Sequence, residues 1–157
     1  MRFGQYIAKF SLATACAPLA ALKGVGVPIA QSPNALRERV QEYFNSDQAV
    51  WELRARLCRD LNRMPVEDSS IVWPEPISPH RPIARVVVPR QIAWSDARAR
   101  EIEDGTSFSP WHGIEDHRPL GSIMRARKGA YDASIRFRTE HNARSIAEPK
   151  GAPVVLS

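Results

Sequence analysis

Apolar and polar residues alternate through FGQYIAKFSLATA, which carries aromatic and branched side chains, and this two-residue period predicts a strand. The period changes at SPNALRERVQEYFN. There Leu36, Val40, Tyr43 and Phe44 share one helical face, Ser32 is placed to cap, and Pro33 sits at the first helical position. AVWELRARLC returns to alternation, with Trp51, Leu53, Ala55 and Leu57 on one side of a half-buried strand.

From Met64 to Pro82 the chain holds five prolines around Trp73. Proline fixes φ and removes a backbone donor, so this stretch predicts an extended connection. RPIARVVVPRQ, the densest branched run, predicts a strand that ends at Pro89. SDARAREIEDG predicts a short helix capped by Ser95 and stopped by Gly105. A long last helix is expected from Leu120 or Gly121 toward Asn142, followed by a loose tail over 148–157.

A chain of 157 residues, 43% of them hydrophobic, suits one core, and residues 1–147 are expected to form one domain. Lys and Arg outnumber Asp and Glu by 22 to 17, the balance of many nucleic-acid binders. The cations are dispersed, however, and interleaved with carboxylates in RERVQE, ELRAR and SDARAREIED. That is the pattern of a solvated surface rather than a phosphate track, so no nucleic-acid partner is expected. No apolar run reaches the roughly eighteen residues of a spanning helix, so no membrane partner is expected either. MRFGQYIAKF followed by SLATACAPLAAL has the outline of a secretory signal, bounded by Pro18 and Lys23, which sets export beside a cytoplasmic location. Cys16 and Cys58 match neither CxxC nor a zinc pattern and sit in apolar runs, as buried reduced thiols do.

Candidate chemistry is sparse. KGVGVP lacks the ending of a phosphate loop, and no nucleophile elbow supports a Ser-His-Asp hydrolase. Of the four histidines, His80 and His141 read as surface or capping groups. WHGIEDH places His112 and His117 five apart around Glu115 and Asp116, the raw material of a metal site. The HExxH arrangement needs four-residue spacing on one helix face, and Gly113 disfavours helix, so a structured turn is the simpler reading. SIMRARKGAYDASIRFR sets Tyr131 one helical turn after Arg127, so both lie on one face. A phenolate presented to a metal beside a cation has this spacing. So does a tyrosine packed in a core with its arginines in water.

The stretches FGQYIAKF, ALRERVQEYF, VWELRARLCRDLNRMPVEDSSIVWPE, RPIARVVVPRQ, SFSPWHGIEDHRPLGSIMRARKGAYDAS and RFRTEHN resemble, in order and approximate spacing, the C-terminal blocks of small catalase-family haem proteins. The resemblance runs from Arg2 to about Pro149. It implies an α+β fold, a partial antiparallel β-barrel of the catalase type with C-terminal helices, left incomplete. It implies haem as cofactor, Tyr131 as ligand to the iron, Arg127 as its charge partner and Arg138 as partner to a haem propionate. Arg136 is a secondary choice on the same helix surface. Catalases are the tyrosinate case among haem proteins. FGQYIAKFSLATACAP then aligns with an internal strand rather than a leader.

Two local departures stand out: Gly129 where larger catalases often carry an aromatic residue, and Ile135 where many carry histidine. A larger one is the distal histidine and asparagine, whose blocks precede anything present here and which none of the four histidines matches. General acid and base catalysis contributes roughly a hundred- to ten-thousand-fold, so its loss cripples turnover. The expectation is a C-terminal part of a haem oxidoreductase acting on hydrogen peroxide or an organic hydroperoxide, with its catalytic residues unassigned. The alternative is a non-catalytic remnant that binds a partner. Open strand edges imply either a second copy of the chain or a partner carrying the missing barrel half.

Overall fold

A single glycine divides the alternating N-terminal run. Gly4 adopts φ +59°, which a residue without Cβ tolerates, and the chain doubles back between β1 (Arg2–Phe3) and β2 (Tyr6–Thr14). The computed structural model describes residues 1–142 and 145–150. Strand β2 pairs antiparallel with β3 (Ala49–Leu57), from Ala8 opposite Leu57 to Thr14 opposite Trp51. Strand β3 pairs in turn with β4 (Arg81–Val88), from Ala49 opposite Val88 to Ala55 opposite Arg81. The sheet runs β1-β2-β3-β4 and does not close. The expected antiparallel sheet with helices is present, as an open four-stranded sheet rather than a barrel wall that closes.

The β3–β4 register slips at Leu53 and Arg54, whose partners are Ala84 and Pro82, so Ile83 is the extra residue of a bulge. A bulge beside Pro82 is expected, since proline has no N–H for the ladder.

The register sorts the side chains. Phe10, Leu12, Leu53, Ala55 and Val86 share one face, while Lys9, Arg54, Arg56 and Arg85 share the other. The connection after β3 crosses the charged face. Trp73 is 2% exposed there; its carbonyl accepts from Arg56 Nη1 at 2.7 Å and its ring lies 4.4 Å from the Lys9 ammonium. Its indole N–H donates to the Pro65 carbonyl at 3.0 Å, and Met64 is fully buried nearby in sequence. Arg56 also pairs with Glu75. On the apolar face Phe3 meets Phe10 edge-on at 5.6 Å, but Leu12 remains 61% exposed.

Helix α1 (Ala17–Ala21) was not anticipated; Pro18 opens it, as proline does in a first turn. Helix α2 (Ala35–Ser46) starts later than Pro33, with Asn34 at the cap, because the Ser32 hydroxyl instead accepts from the Asn34 amide at 3.1 Å. Its predicted apolar face is not buried, since Leu36 and Val40 stay exposed. Helix α3 (Asp96–Ile102) has Ser95 as cap, its hydroxyl accepting from the Arg98 amide, and it ends three residues before Gly105. Helix α4 (Ser122–His141) has the predicted bounds. Cys16 and Cys58 are free and half-buried, not buried. No described helix is long and apolar enough to cross a membrane. Of the expected tail, residues 151–157 lie outside the described residues.

Replacing Trp73 with alanine removes the largest side chain in this small core, so Trp73→Ala is expected to lose about 3–5 kcal/mol in urea unfolding. His80 titrates below its ordinary 6.5, first because burial disfavours imidazolium, then because Arg56 and Arg54 stand near. Glu75, 3.8 Å away, does not reverse this because Arg56 occupies it. The unfolded chain takes up a proton at about pH 6.5 that the folded chain refuses, so stability falls as pH drops below that value. The urea midpoint should therefore decline from pH 7.5 to 5.5, and more steeply than in His80→Gln.

Candidate functional site

Helix α4 carries the candidate residues and buries none of its own. Its position comes from its ends. At the N-terminus Gly121, with φ +94°, passes so close to the 64–82 connection that a Cβ would stand 2.7 Å from the Val66 carbonyl oxygen. The Ser122 hydroxyl donates to the Glu67 carbonyl at 2.7 Å, and Arg125 forks the Glu67 carboxylate at 3.0 and 2.5 Å. That fork holds the Glu67 carboxyl below its usual range, with help from Ser122. At the other end Arg138 donates to the Glu103 carbonyl at 2.5 Å and the Thr106 carbonyl at 3.1 Å.

Tyr131 lies between these anchors. Arg127 Nη2 donates to the Tyr131 hydroxyl oxygen at 2.9 Å, with its guanidinium 5.5 Å from the ring centre. Phe108 and Trp111 meet the tyrosine ring edge-on at 6.0 and 5.9 Å. Trp111 is presented by a 3₁₀ turn, Pro110–His112, whose first amide donor is taken by the Ser109 hydroxyl. Tyr131, Phe108, Ala130, Ser134, Ile135 and Arg138 line an open cleft of about 330 Å³. The Arg138 Nε is buried there without a hydrogen-bond partner.

The fold thus brings Arg127, Tyr131 and Arg138 to one stretch of helix, while Arg136 is exposed and does not line the cleft. Ile135 lines it, and a Cβ at Gly129 would meet nothing within 4 Å. Phe108 and Trp111 were not singled out from the sequence. They reach Tyr131 from a turn some twenty residues earlier, and their one local signal is the pair of aromatics flanking Pro110.

His112 and His117 occupy separate 3₁₀ turns, Pro110–His112 and Glu115–His117. The His112 ring meets the Glu148 carboxylate at 2.8 Å, and the His117 ring stacks on Phe3. Glu115 between them is taken by Arg2 and Arg118, each at 3.0 Å. Among the described residues no three His, Cys, Asp or Glu side chains gather to hold a metal ion.

Since α4 is held by its ends, Glu67→Gln should loosen its first turns while leaving β2 and β3 unchanged. The amides of residues 125–130 are expected to exchange with deuterium about two- to fivefold faster, the scale of an exposed ion pair. Lowering the pH should do the same to the unsubstituted chain. The contribution of Glu67 is present above about pH 4.5 and is lost as pH falls through its lowered value.

No family model matches the sequence, and no curated protein matches it. Among solved structures, the chain is similar to the crystal structure of a fungal catalase, with a TM-score of 0.61 at 16% sequence identity. The match covers 97% of this chain and 34% of that one. At this identity the likeness speaks to fold alone: nearly the whole chain has a catalase-like fold, and it spans 34% of the length of the catalase chain it matches.

Proposed function

We propose that this chain binds haem, with the Tyr131 oxygen as ligand to the iron, and belongs to an oxidoreductase acting on hydrogen peroxide or an organic hydroperoxide. The observation that carries the reading is the 2.9 Å hydrogen bond from Arg127 to the Tyr131 oxygen at an open cleft. A guanidinium donates without ever giving up its proton, so it stabilises charge on the phenolic oxygen and does not compete as an acid. The edge-on contacts of Phe108 and Trp111 fix the ring plane.

The residues present fit the cofactor. The apolar atoms of Ala130, Ile135 and Phe108 suit a flat apolar ring system, and the unpartnered Arg138 Nε suits a carboxylate at its rim. Each terminal nitrogen of Arg138 donates to a carbonyl, and Nε is the nitrogen left buried without a partner. Haem, when bound, supplies the iron redox chemistry. The chain's own residues hold, orient and charge-stabilise its ligand.

A second reading has its own observation. Neither an imidazole nor a side-chain amide lines the cleft, so no general acid or base faces the site among the described residues. On that reading the chain is a non-catalytic fragment that binds haem or a partner without turnover.

Haem titration of the purified chain should give a tyrosinate-type ferric absorbance spectrum. Tyr131→Phe should abolish it, and Arg127→Met should weaken binding. An unchanged spectrum in Tyr131→Phe would overturn the ligand assignment. Oxygen release from hydrogen peroxide no faster than that of free haem would favour the second reading.

A further inference from the structure

Strand β4 is the terminal strand of the sheet, and it is bare on both faces. Every residue from Arg81 to Val87 is exposed, with Val86 at 40% and Val87 at 57% on opposite sides. A terminal strand of a finished sheet normally rests one face on a core. Edge strands are guarded by prolines, bulges or charges, and here Pro82 and the bulge at Ile83 guard only the start. From Ala84 to Val88 the outer row of backbone donors and acceptors is open, with Arg85 as its one charge.

The charges say what covers it. Arg81 and Arg85 on the strand, and Arg90 just beyond it, make no ion pair among the described residues. Glu52 stands opposite Arg85, but Arg54 holds it at 2.6 and 3.0 Å. The strand contains no carboxylate, so pairing β4 with β4 of a second copy would gather cations without an anion, and like charges across a ladder destabilise it. We propose that β4 is the docking strand for a different polypeptide, whose pairing strand alternates apolar residues with carboxylates. Backbone bonds to the free edge from Ala84 to Val88 supply affinity, apolar residues face Ala84, Val86 and Val88, and a carboxylate opposite Arg85, on the other face, sets partner and register.

The test uses the full chain and two blocked eight-residue peptides, (Val-Glu)₄ and (Val-Lys)₄, each carrying a fluorophore for anisotropy. The Glu peptide should bind at least about tenfold more tightly than the Lys peptide at low salt, and the preference should shrink as salt screens it. It should also slow deuterium exchange of the 83–88 amides. In Arg85→Gln the preference should fall below about threefold, while Arg85→Lys should restore most of it, showing that charge rather than folding was lost. Equal binding of the two peptides, no binding, or protection outside β4 would overturn the proposal. So would a dimer whose 83–88 amides are protected without peptide, which would make a second copy the occupant.

Discussion

Tyr131 stands where it does because α4 is held at its ends and not along its face. A helix that fully buries none of its residues, and whose ring contacts with other elements among the described residues are those of Tyr131 with Phe108 and Trp111, gains little from an apolar stripe, which is the usual source of helix stability in proteins. Its place is set by the close pass of Gly121 beneath Val66, the Arg125–Glu67 fork, and the two carbonyls that share Arg138. Two of these three anchors lie on the proline-rich connection. The same connection lays Trp73 over the charged face of the sheet, so sheet and site are coupled through one irregular segment. Its prolines make this workable by lowering the entropy lost when an irregular chain is fixed in place.

Local chemistry made some of this legible. The Ser95 cap follows from a single residue acting on its neighbours, and the structure has it. The Arg127–Tyr131 bond is of the same kind, because a four-residue separation on a helix brings the two side chains together. The division at Gly4 escaped notice because one positive φ inside an alternating run leaves the period intact. Which face of the sheet is covered was also beyond the pattern. Alternation marks Trp51, Leu53, Ala55 and Leu57 as one side of a half-buried strand, and Ala55 is buried there, yet the cover from Trp73 arrives on the side of Lys9 and Arg56. That choice depends on where Trp73 returns, a non-local fact. Phe108 and Trp111 were hidden for the same reason.

A charged sheet face under a tryptophan has a physical rationale. Lys9 stands over the indole in cation–π contact and Arg56 donates to the Trp73 backbone carbonyl and pairs with Glu75, so their long stems supply apolar cover while their terminal charges keep partners. The apolar face is covered only in part: Ala8, Ala49 and Ala55 are buried there, while Leu12 and Val86 stay open. Contiguous apolar surface of this kind marks an interaction site more often than a free surface.

The same logic separates binding from turnover. Ligand donation at the cleft needs an oxygen, a cation to stabilise it and aromatic walls to aim it, and α4 with the 108–111 segment supplies all three. Peroxide cleavage also needs a group that moves a proton within hydrogen-bond reach of substrate, and the cleft is lined by apolar residues, Ser134, Tyr131 and Arg138. A serine hydroxyl is a poor base and a guanidinium does not release its proton, so neither replaces an imidazole. Haem affinity can therefore reside in this chain while the proton-moving group resides elsewhere. On the proposed haem reading the two requirements separate: the groups that aim the Tyr131 oxygen sit on α4 and the 108–111 segment, and they are not groups that move a proton to or from a substrate.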